Sequence, residues 1–309
     1  MASILSIWAL GDGKPGHENQ ALGLAEAMAR LRPSAIQRIS LAGKRGLVAR
    51  LRAALRAAAG LPKPDLILAA GHATHPALLW LARKHRVPGI VLMCPSLPLR
   101  WFDLCIAPAH DFPQAPTASN VLTTMGALNR VLANPSAPRR GGLLLVGGPS
   151  RTHDWNERGL LDSLVRIIGE GADGPWKLAD SRRTPPGFLE RARERLPEVT
   201  VFPHGETTRE WLPATLAESA AVWVTEDSVS MVYEALSSGA RVGLLPVPRT
   251  KQDTAVLRGL GQLVDAGWVT PYPRWCETRS LVASPYPLQE AARCAEAVLT
   301  RFFAFGLPG

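Results

Sequence analysis

A glycine-rich stretch near the start of the chain combines residue types that can hold a phosphate group. GDGKPGHENQ, residues 11–20, contains three glycines, a lysine and a histidine, and it joins an apolar run to a helical pattern. At such junctions the backbone amides of the turn and the free N–H groups of the helix bind phosphate. We therefore predict an anion-binding turn, whose candidate ligand-binding residues are Gly11, Gly13, Lys14, Gly16 and Asn19.

The glycine spacing of this turn also satisfies G-x-G-x-x-G, the pattern of dinucleotide-binding turns. In those turns a carboxylate about 20 residues further on binds the ribose. The corresponding run AIQRIS offers only Arg38, a residue type that accommodates a 2′-phosphate instead. An NADP-dependent enzyme therefore stays open as an alternative.

A second set of polar residues lies in TEDSVSMVYEALSSG, residues 225–239. The preceding AVWVT predicts a strand, and the helix is expected to begin near Asp227 or Ser228. At about 100° per residue, Asp227, Ser230 and Glu234 share one polar face. A helix N-terminus attracts phosphate, and the carboxylate of Glu234 can accept hydrogen bonds from paired sugar hydroxyls. The alternative is an ordinary helix cap with a solvated face.

Short β-rich runs alternate with helical patterns along both halves of the chain, which indicates parallel sheets built from βαβ units. The pattern restarts at Gly142, after a stretch with the composition of a linker. We predict an α/β protein with two Rossmann-like domains and an interdomain cleft. The predicted domains are residues 1–135 and 136–285, and residues 286–309 are expected to form a helix near the domain junction.

The segment from Glu234 to Pro246 has the spacing E-A-x-x-x-G-x-x-x-x-x-x-P. This spacing resembles the donor half of GT-B glycosyltransferases, in the branch that includes the transferase making lipid II. The resemblance implies that residues 1–135 are the acceptor side and that residues 136–285 bind the nucleotide sugar. The glycine-loop histidine of that branch is a proposed base, which implies that His17 takes the acceptor proton. Asp12 is the second candidate catalytic residue.

The same resemblance implies a second group of ligand-binding residues, since the second glycine loop of those enzymes corresponds to GGPS in this chain. The candidate nucleotide- and sugar-binding residues in this half are Gly147, Gly148, Ser150, Arg151, Asp227, Ser228, Ser230, Glu234, Arg249 and Gln252. Arg151, Ser230 and the helix N-terminus would neutralise the leaving diphosphate, and Glu234 would hold the ribose.

A further resemblance covers nearly the whole chain. GDGKPGHENQ, FDLCIAPAHD, GGPSRTHDW and TEDSVSM resemble segments of the mitochondrial-fission family named for elongated mitochondria, which has many bacterial members. That family is similar to GT-B enzymes in fold, and a shared fold does not fix the chemistry. Asp227 departs from the sugar transferases, which usually have glycine there. Its carboxylate repels a diphosphate unless it caps the helix or turns away.

The positive charge of the chain is concentrated in one segment. The net charge is +9, and residues 27–64 contain nine basic side chains without a single Asp or Glu. Within this segment, KRGLVARLRAALRAAA predicts a helix with an apolar side and with Arg45, Arg52 and Arg56 on the other side. The helix either covers the sheet or docks residues 44–56 on an anionic membrane surface. No pattern of interleaved aromatic and basic residues predicts a nucleic-acid partner.

Other sequence features exclude several classes of protein. The chain has no apolar run approaching the ~18 residues of a membrane span, and its first residues lack the pattern of a signal peptide. Its four cysteines form no C-x-x-C pair, and no third ligand accompanies His72 and His75. We therefore expect neither a metal nor a cofactor. The expected location is the cytoplasm, or the inner face of the membrane if the basic helix docks.

These observations favour a glycosyltransferase that uses a nucleoside diphosphate sugar, in the first instance a UDP-sugar, with inversion at the sugar. Its acceptor is unidentified, and it would be lipid-linked if the protein works at a membrane. Two alternatives stay open. One is a non-catalytic adaptor of the fission family that recruits a protein partner, and the other is a sugar-nucleotide epimerase.

Overall fold

The computed structural model describes residues 4–134, 138–171, 174–251 and 254–303. The chain divides into two compact units. The first contains Met1–Arg130 together with Gln289–Gly309, and the second contains Val131–Leu288. The predicted boundary between residues 135 and 136 falls outside the described residues, as do the last six residues of the predicted segment 286–309.

Strands and helices alternate along the described chain, as the sequence pattern predicts. The strands are β1 (Leu5–Gly11), β2 (Ser34–Ser40), β3 (Leu66–Ala70), β4 (Gly89–Leu92), β5 (Leu104–Pro108), β6 (Val121–Thr124), β7 (Gly142–Leu145), β8 (Trp176–Ala179), β9 (Thr200–Phe202), β10 (Ala221–Thr225), β11 (Arg241–Leu245) and β12 (Thr270–Pro271). The α-helices are α1 (Pro15–Leu31), α2 (Leu47–Ala58), α3 (His75–His85), α4 (Glu157–Glu170), α5 (Phe188–Arg195), α6 (Trp211–Glu218), α7 (Val229–Ser238), α8 (Ala255–Asp265), α9 (Tyr272–Thr278) and α10 (Glu290–Phe303).

Each unit contains one parallel sheet whose strand order reverses once. The order is β2-β1-β3-β4-β5-β6 in the first unit and β12-β11-β10-β7-β8-β9 in the second. The chain therefore changes direction across the sheet between β1 and β3, and again between β7 and β10. Open α/β sheets bind ligands outside the carboxyl ends of the strands at such reversals. The topology thus marks the loops after these four strands as candidate sites.

Helices cover both faces of the first sheet, which explains why its strands are continuous apolar runs. Successive β1 residues point to opposite faces. Ile7 is buried in one cluster with residues of α1 and α10, whereas Trp8 is buried in another with residues of α3. In the second unit, residues of β7, β8 and β10 pack with α4, α5 and α9 in a comparable core.

Helix α2 covers the sheet with only part of its length. Ala54 is buried, and Leu51 and Ala58 pack partly against the core. In the first turn, however, Leu47 and Val48 are 54% and 59% exposed. The predicted apolar side therefore meets the core in the second half of the helix and solvent in its first turn. Among the helices described, none is both long and apolar enough to cross a membrane.

The C-terminal helix α10 belongs to the core of the first unit. Cys294, Val298 and Leu299 are fully buried in the same cluster as Leu24 and Met28 of α1. Two hydrogen bonds fix the polar side of α10, from Arg293 Nη2 to the Thr123 carbonyl (2.6 Å) and from Arg301 Nη1 to the Ser119 carbonyl (2.8 Å). The first unit is therefore discontinuous in sequence and depends on α10 for its core.

We predict that Leu299→Ala destabilises the first unit by about 2–5 kcal/mol, because it removes buried methyl groups and leaves a cavity. The measurement is native-state hydrogen exchange of peptides from β1, which should become faster by at least about tenfold. Leu47→Ala makes the same chemical change at a side chain that is 54% exposed, and it should leave β1 exchange nearly unchanged. Equal effects of the two variants would mean that α10 does not support this core.

Candidate functional site

The loop after β1 brings an aspartate and a histidine together. Nδ1 of His17 lies 2.9 Å from Oδ2 of Asp12, and Oδ1 of the same carboxylate accepts a hydrogen bond from the Lys14 backbone N–H at 3.1 Å. Because α1 begins at Pro15, His17 lies in its first turn. The exposed fraction is 5% for the Asp12 side chain and 17% for His17, so the imidazole remains reachable while the carboxylate is shielded.

This geometry determines which nitrogen of His17 can accept a proton. A carboxylate only accepts hydrogen bonds, so Asp12 orients the ring with the hydrogen on Nδ1. Nε2 then carries the lone pair. A neutral imidazole that is held in one orientation by a carboxylate is the usual arrangement of a general base.

Gly71 directly follows β3, the strand next to β1 across the sheet reversal, and the Asp12–His17 pair lies against it. A Cβ at this position would overlap the His17 imidazole and the Asp12 carboxylate, and its φ of 88° also favours glycine. Gly71 belongs to none of the motifs found in the sequence. The available signal was a glycine immediately after a buried strand, in the run LILAAG.

The other residues predicted in the first glycine loop lie in different surroundings. Gly11 is in contact with the Glu18 side chain, which a Cβ would meet at 2.9 Å. Lys14 is the exposed N-cap residue of α1, and a side chain at Gly16 would meet only open space. The remaining two predicted positions are Gly13, which is exposed, and Asn19, which is half-buried. The structure thus joins Asp12 to His17 and leaves the lysine at the surface.

In the described part of the chain, no three His, Cys, Asp or Glu side chains cluster as metal ligands would, around His72 and His75 or elsewhere. His75 is 2% exposed, and its ring makes edge contacts with His72 and Phe102. Burial is the main cause that lowers the pKa of His75 to about 4. His75 is therefore a neutral packing residue at neutral pH.

In the second unit, the glycine loop after β7 contacts the residues that precede α7. The Gly147 N–H donates to Thr225 Oγ1 at 2.8 Å, and the Gly148 N–H donates to Asp227 Oδ2 at 3.1 Å. A Cβ on Gly147 would overlap the side chains of Asp227 and Ser228. The predicted proximity of these two segments is therefore present, and it requires a glycine at position 147.

Asp227 turns into this loop rather than lining the polar face of α7. Its side chain is fully buried, and its Oδ2 lies 2.6 Å from Nη2 of Arg183. The same guanidinium donates to Ser228 Oγ at 2.8 Å and, through Nη1, to the Gly148 carbonyl at 2.8 Å. Ser228 is the N-cap residue of α7, and Ser230 in the first turn is exposed.

Arg183 is a further residue of this site that was not predicted from the sequence. It lies in SRRTPPG after β8, a strand that neighbours β7 in the sheet. No motif marks this loop. The signal that could have identified it is the pair of arginines just after a strand whose carboxyl end lies beside the glycine loop.

A cavity of about 620 Å³ lies at this end of the second sheet. The loops after β8 and β9 and the first turn of α7 form its walls. Its lining residues are Leu145, Ala179, Asp180, Ser181, Arg182, Arg183, His204, Thr207, Trp211, Leu212, Ser228, Ser230 and Met231. This lining combines an aromatic ring for a planar group, hydroxyls for a polyol and guanidinium groups for an anion.

Arg249 makes a hydrogen-bonded ion pair with the largely buried Glu226. The hydrogen bond to Glu226 is the main cause that raises the pKa of the Arg249 guanidinium. His153, at the end of the glycine loop, forms an isolated antiparallel bridge with Arg249. Burial lowers the pKa of the His153 imidazole. The charge of Arg249, predicted to contact a ligand, is therefore paired with Glu226 within the protein.

The remaining predicted residues of the second unit have less defined surroundings. Arg151 is exposed, and Ser150 Oγ accepts hydrogen bonds from the Thr152 and His153 backbone N–H groups at 3.2 and 3.1 Å. Glu234 is half-buried on α7. Gln252 lies outside the described residues.

Solved structures with the same overall fold cover almost the whole chain. A Listeria monocytogenes protein provisionally named as a UDP-N-acetylglucosamine 2-epimerase has a TM-score of 0.65 at 13% identity, with 98% of each chain covered. Acinetobacter baumannii MurG has a TM-score of 0.54 at 14% identity, covering 95% of this chain and 99% of MurG. The Neisseria meningitidis UDP-GlcNAc 2-epimerase bound to UDP-GlcNAc has a TM-score of 0.54 at 12% identity, covering 96% and 100%.

These similarities establish the fold and leave the activity open. The chain is an α/β protein with two Rossmann-like units of the GT-B type, as predicted. Among curated proteins, an uncharacterized Rickettsia prowazekii protein is 24% identical to this chain, over 76% of the chain and 81% of the relative. The family model described as mitochondrial fission ELM1 matches residues 15–302. The protein therefore belongs to the mitochondrial fission ELM1 family.

Proposed function

We propose that the protein is an inverting glycosyltransferase that uses a nucleoside diphosphate sugar, in the first instance a UDP-sugar. The Asp12–His17 pair is the observation that carries this proposal. It lies at the strand reversal where α/β sheets bind ligands, and it has the geometry of a general base.

The proposed reaction assigns a different task to each unit. A hydroxyl of the acceptor attacks the anomeric carbon of the sugar while the bond from that carbon to the diphosphate oxygen breaks. The acceptor proton moves to Nε2 of His17, and the nucleoside diphosphate leaves with the bonding electron pair. No cofactor is needed, because the nucleotide sugar itself supplies the activated bond.

The cavity of the second unit is the proposed nucleotide site. Trp211 would stack on the base, and Ser228 and Ser230 would bind sugar or phosphate oxygens at the start of α7. The names of two structural neighbours support a uridine nucleotide, since the L. monocytogenes protein is provisionally named as a UDP-N-acetylglucosamine 2-epimerase and the N. meningitidis epimerase was solved with UDP-GlcNAc.

We further propose that the acceptor is lipid-linked and that the first turn of α2 docks the protein on an anionic bilayer at the cytoplasmic face. Leu47 and Val48 are more than half exposed there, and Lys44 and Arg45 precede them with only Gly46 in between. Apolar side chains surrounded by basic residues suit the boundary between headgroups and acyl chains. The acid-free segment 27–64 supplies the complementary charge.

A sugar-nucleotide epimerase is the second candidate function. The observation that favours it is the similarity in fold to two proteins named as UDP-GlcNAc 2-epimerases. An adaptor that binds a partner without catalysis is the third. The Asp12–His17 pair argues for catalysis, because a purely structural helix start does not require an imidazole held by a buried carboxylate.

The donor is to be identified by thermal shift against nucleotides and nucleotide sugars, since a ligand of the native state raises the melting temperature. With that donor, we expect His17→Ala to lower turnover by about 10²-fold or more, the usual contribution of a general base, while the donor Kd stays the same. Asp12→Asn should also lower turnover, because an amide no longer selects the productive tautomer. His72→Ala, a histidine in the neighbouring loop, is the matched control and should behave as wild type.

Product analysis separates the three candidate functions. Release of nucleoside diphosphate that depends on acceptor supports transfer, whereas an isomeric nucleotide sugar formed without acceptor establishes the epimerase. Donor binding without any chemical change, in both wild type and His17→Ala, would favour the adaptor. Wild-type turnover by His17→Ala would show that His17 is not the base.

For the membrane proposal, we expect co-sedimentation with vesicles of phosphatidylglycerol and phosphatidylcholine at low salt, and none with phosphatidylcholine alone. Replacing Arg45, Arg52 and Arg56 by Glu should weaken binding at least about 100-fold, from roughly 1 kcal/mol for each basic residue near the surface. The charge-matched control replaces three exposed arginines of the second unit by Glu, namely Arg193, Arg209 and Arg274. It should retain vesicle binding. Equal loss of vesicle binding in both triple variants would show that net charge alone explains the effect.

A further inference from the structure

The carboxylate of Asp227 occupies a set of donors that proteins commonly use for phosphate. Its Oδ2 accepts hydrogen bonds from the Gly148 backbone N–H at 3.1 Å, from Arg183 Nη2 at 2.6 Å and from Ser228 Oγ at 3.2 Å. A glycine-loop amide, a guanidinium and a hydroxyl at a helix start are the groups that hold anions in nucleotide sites. Asp227 therefore acts as an anion that the protein itself supplies.

The two oxygens of this carboxylate differ in their contacts, since Oδ2 accepts three hydrogen bonds and Oδ1 accepts none from the residues described. The Asp227 side chain has no exposed surface, and Arg183 is 39% exposed. Oδ1 is also buried, and it has no hydrogen-bond partner among the residues described. The carboxylate thus keeps part of its negative potential in a place that water does not reach, where charges are screened weakly.

The charges around the 620 Å³ cavity are nearly balanced as a result. Arg182 and Arg183 line it together with Asp180, and Asp227 lies behind Arg183. Asp180 Oδ1 is also paired with Nδ1 of His204, at 3.1 Å. With two arginines and two carboxylates at the cavity, little net positive charge is left for a diphosphate.

We propose that Asp227 is a specificity-determining residue of the second unit that competes with ligand phosphate for Arg183. This inference deepens the proposed function and rests on it for the identity of the nucleotide. The ligand is held mainly through its base and sugar, and the second phosphate of a nucleoside diphosphate adds little affinity. The diphosphate product consequently leaves the site easily.

The test measures the affinity of the protein for uridine, UMP, UDP and inorganic pyrophosphate by isothermal titration calorimetry. For wild type we expect UDP to bind no more than about threefold tighter than UMP. In Asp227→Asn, which retains the shape of the side chain and removes its charge, UDP affinity should rise by about tenfold or more, as expected when one like charge is removed from a poorly screened site. Uridine affinity should not change.

Asp162→Asn is the matched control, because it removes a carboxylate of the same unit that lies outside the cavity lining and pairs with Arg195. It should show the wild-type ratio of UDP to UMP affinity. Equal gains in UDP affinity for both variants would overturn the proposal, since net charge alone would then explain the effect. The proposal would also be overturned if wild-type protein bound UDP more than about tenfold tighter than UMP. This result does not depend on the folding of any variant.

Pyrophosphate separates this inference from the proposed function. If neither protein binds any uridine compound but Asp227→Asn binds pyrophosphate and wild type does not, the role of Asp227 stands and the uridine assignment fails. If pyrophosphate and UDP bind neither protein, or bind both equally, the role of Asp227 is wrong. Melting temperatures of the variants confirm that each comparison is made on folded protein.

Discussion

The position of the candidate residues follows from a topological constraint. In a parallel sheet with short connections, strand order can reverse only where the chain crosses from one side of its first strand to the other, and two adjacent loops then diverge at the carboxyl edge. In the first unit these loops follow β1 and β3, and they bring Gly71 against Asp12 and His17. In the second unit they follow β7 and β10, and they bring Gly148 against Asp227.

Both reversals contain a shielded aspartate, and the partner of each aspartate determines its effect. Asp12 is hydrogen-bonded to an imidazole, so it orients a group that can exchange a proton. Asp227 is hydrogen-bonded to a guanidinium, which stays protonated in proteins, so the pair holds its charges fixed. We therefore propose that the same residue type, at equivalent places, orients a proton acceptor in one unit and disfavours a second phosphate in the other.

The sequence was sufficient for the fold and for part of the candidate site. Buried parallel strands give continuous apolar runs such as LILAA and AVWVT, and the glycine loops mark the strand ends, so the elements and His17 could be located. The ion pairs Arg183–Asp227 and Arg249–Glu226 could not be predicted. The partners in each pair are distant in sequence, and only the strand order of the folded sheet brings them together. Leu47 and Val48 were expected on the apolar side of α2, but only the packing shows that this side extends beyond the sheet.

The placement of α10 in the first unit affects how the protein folds during synthesis. The second unit, Val131–Leu288, has its whole sequence before the last helix has been made. The first unit is begun earlier, yet it must wait for α10 to leave the ribosome, because Val298 and Leu299 complete its core. Until then the buried surface of α1 around Leu24 and Met28 lacks its cover, and such exposed apolar surface is what chaperones bind and what aggregates. The amino-terminal part of the chain is thus translated first but completes its folding last.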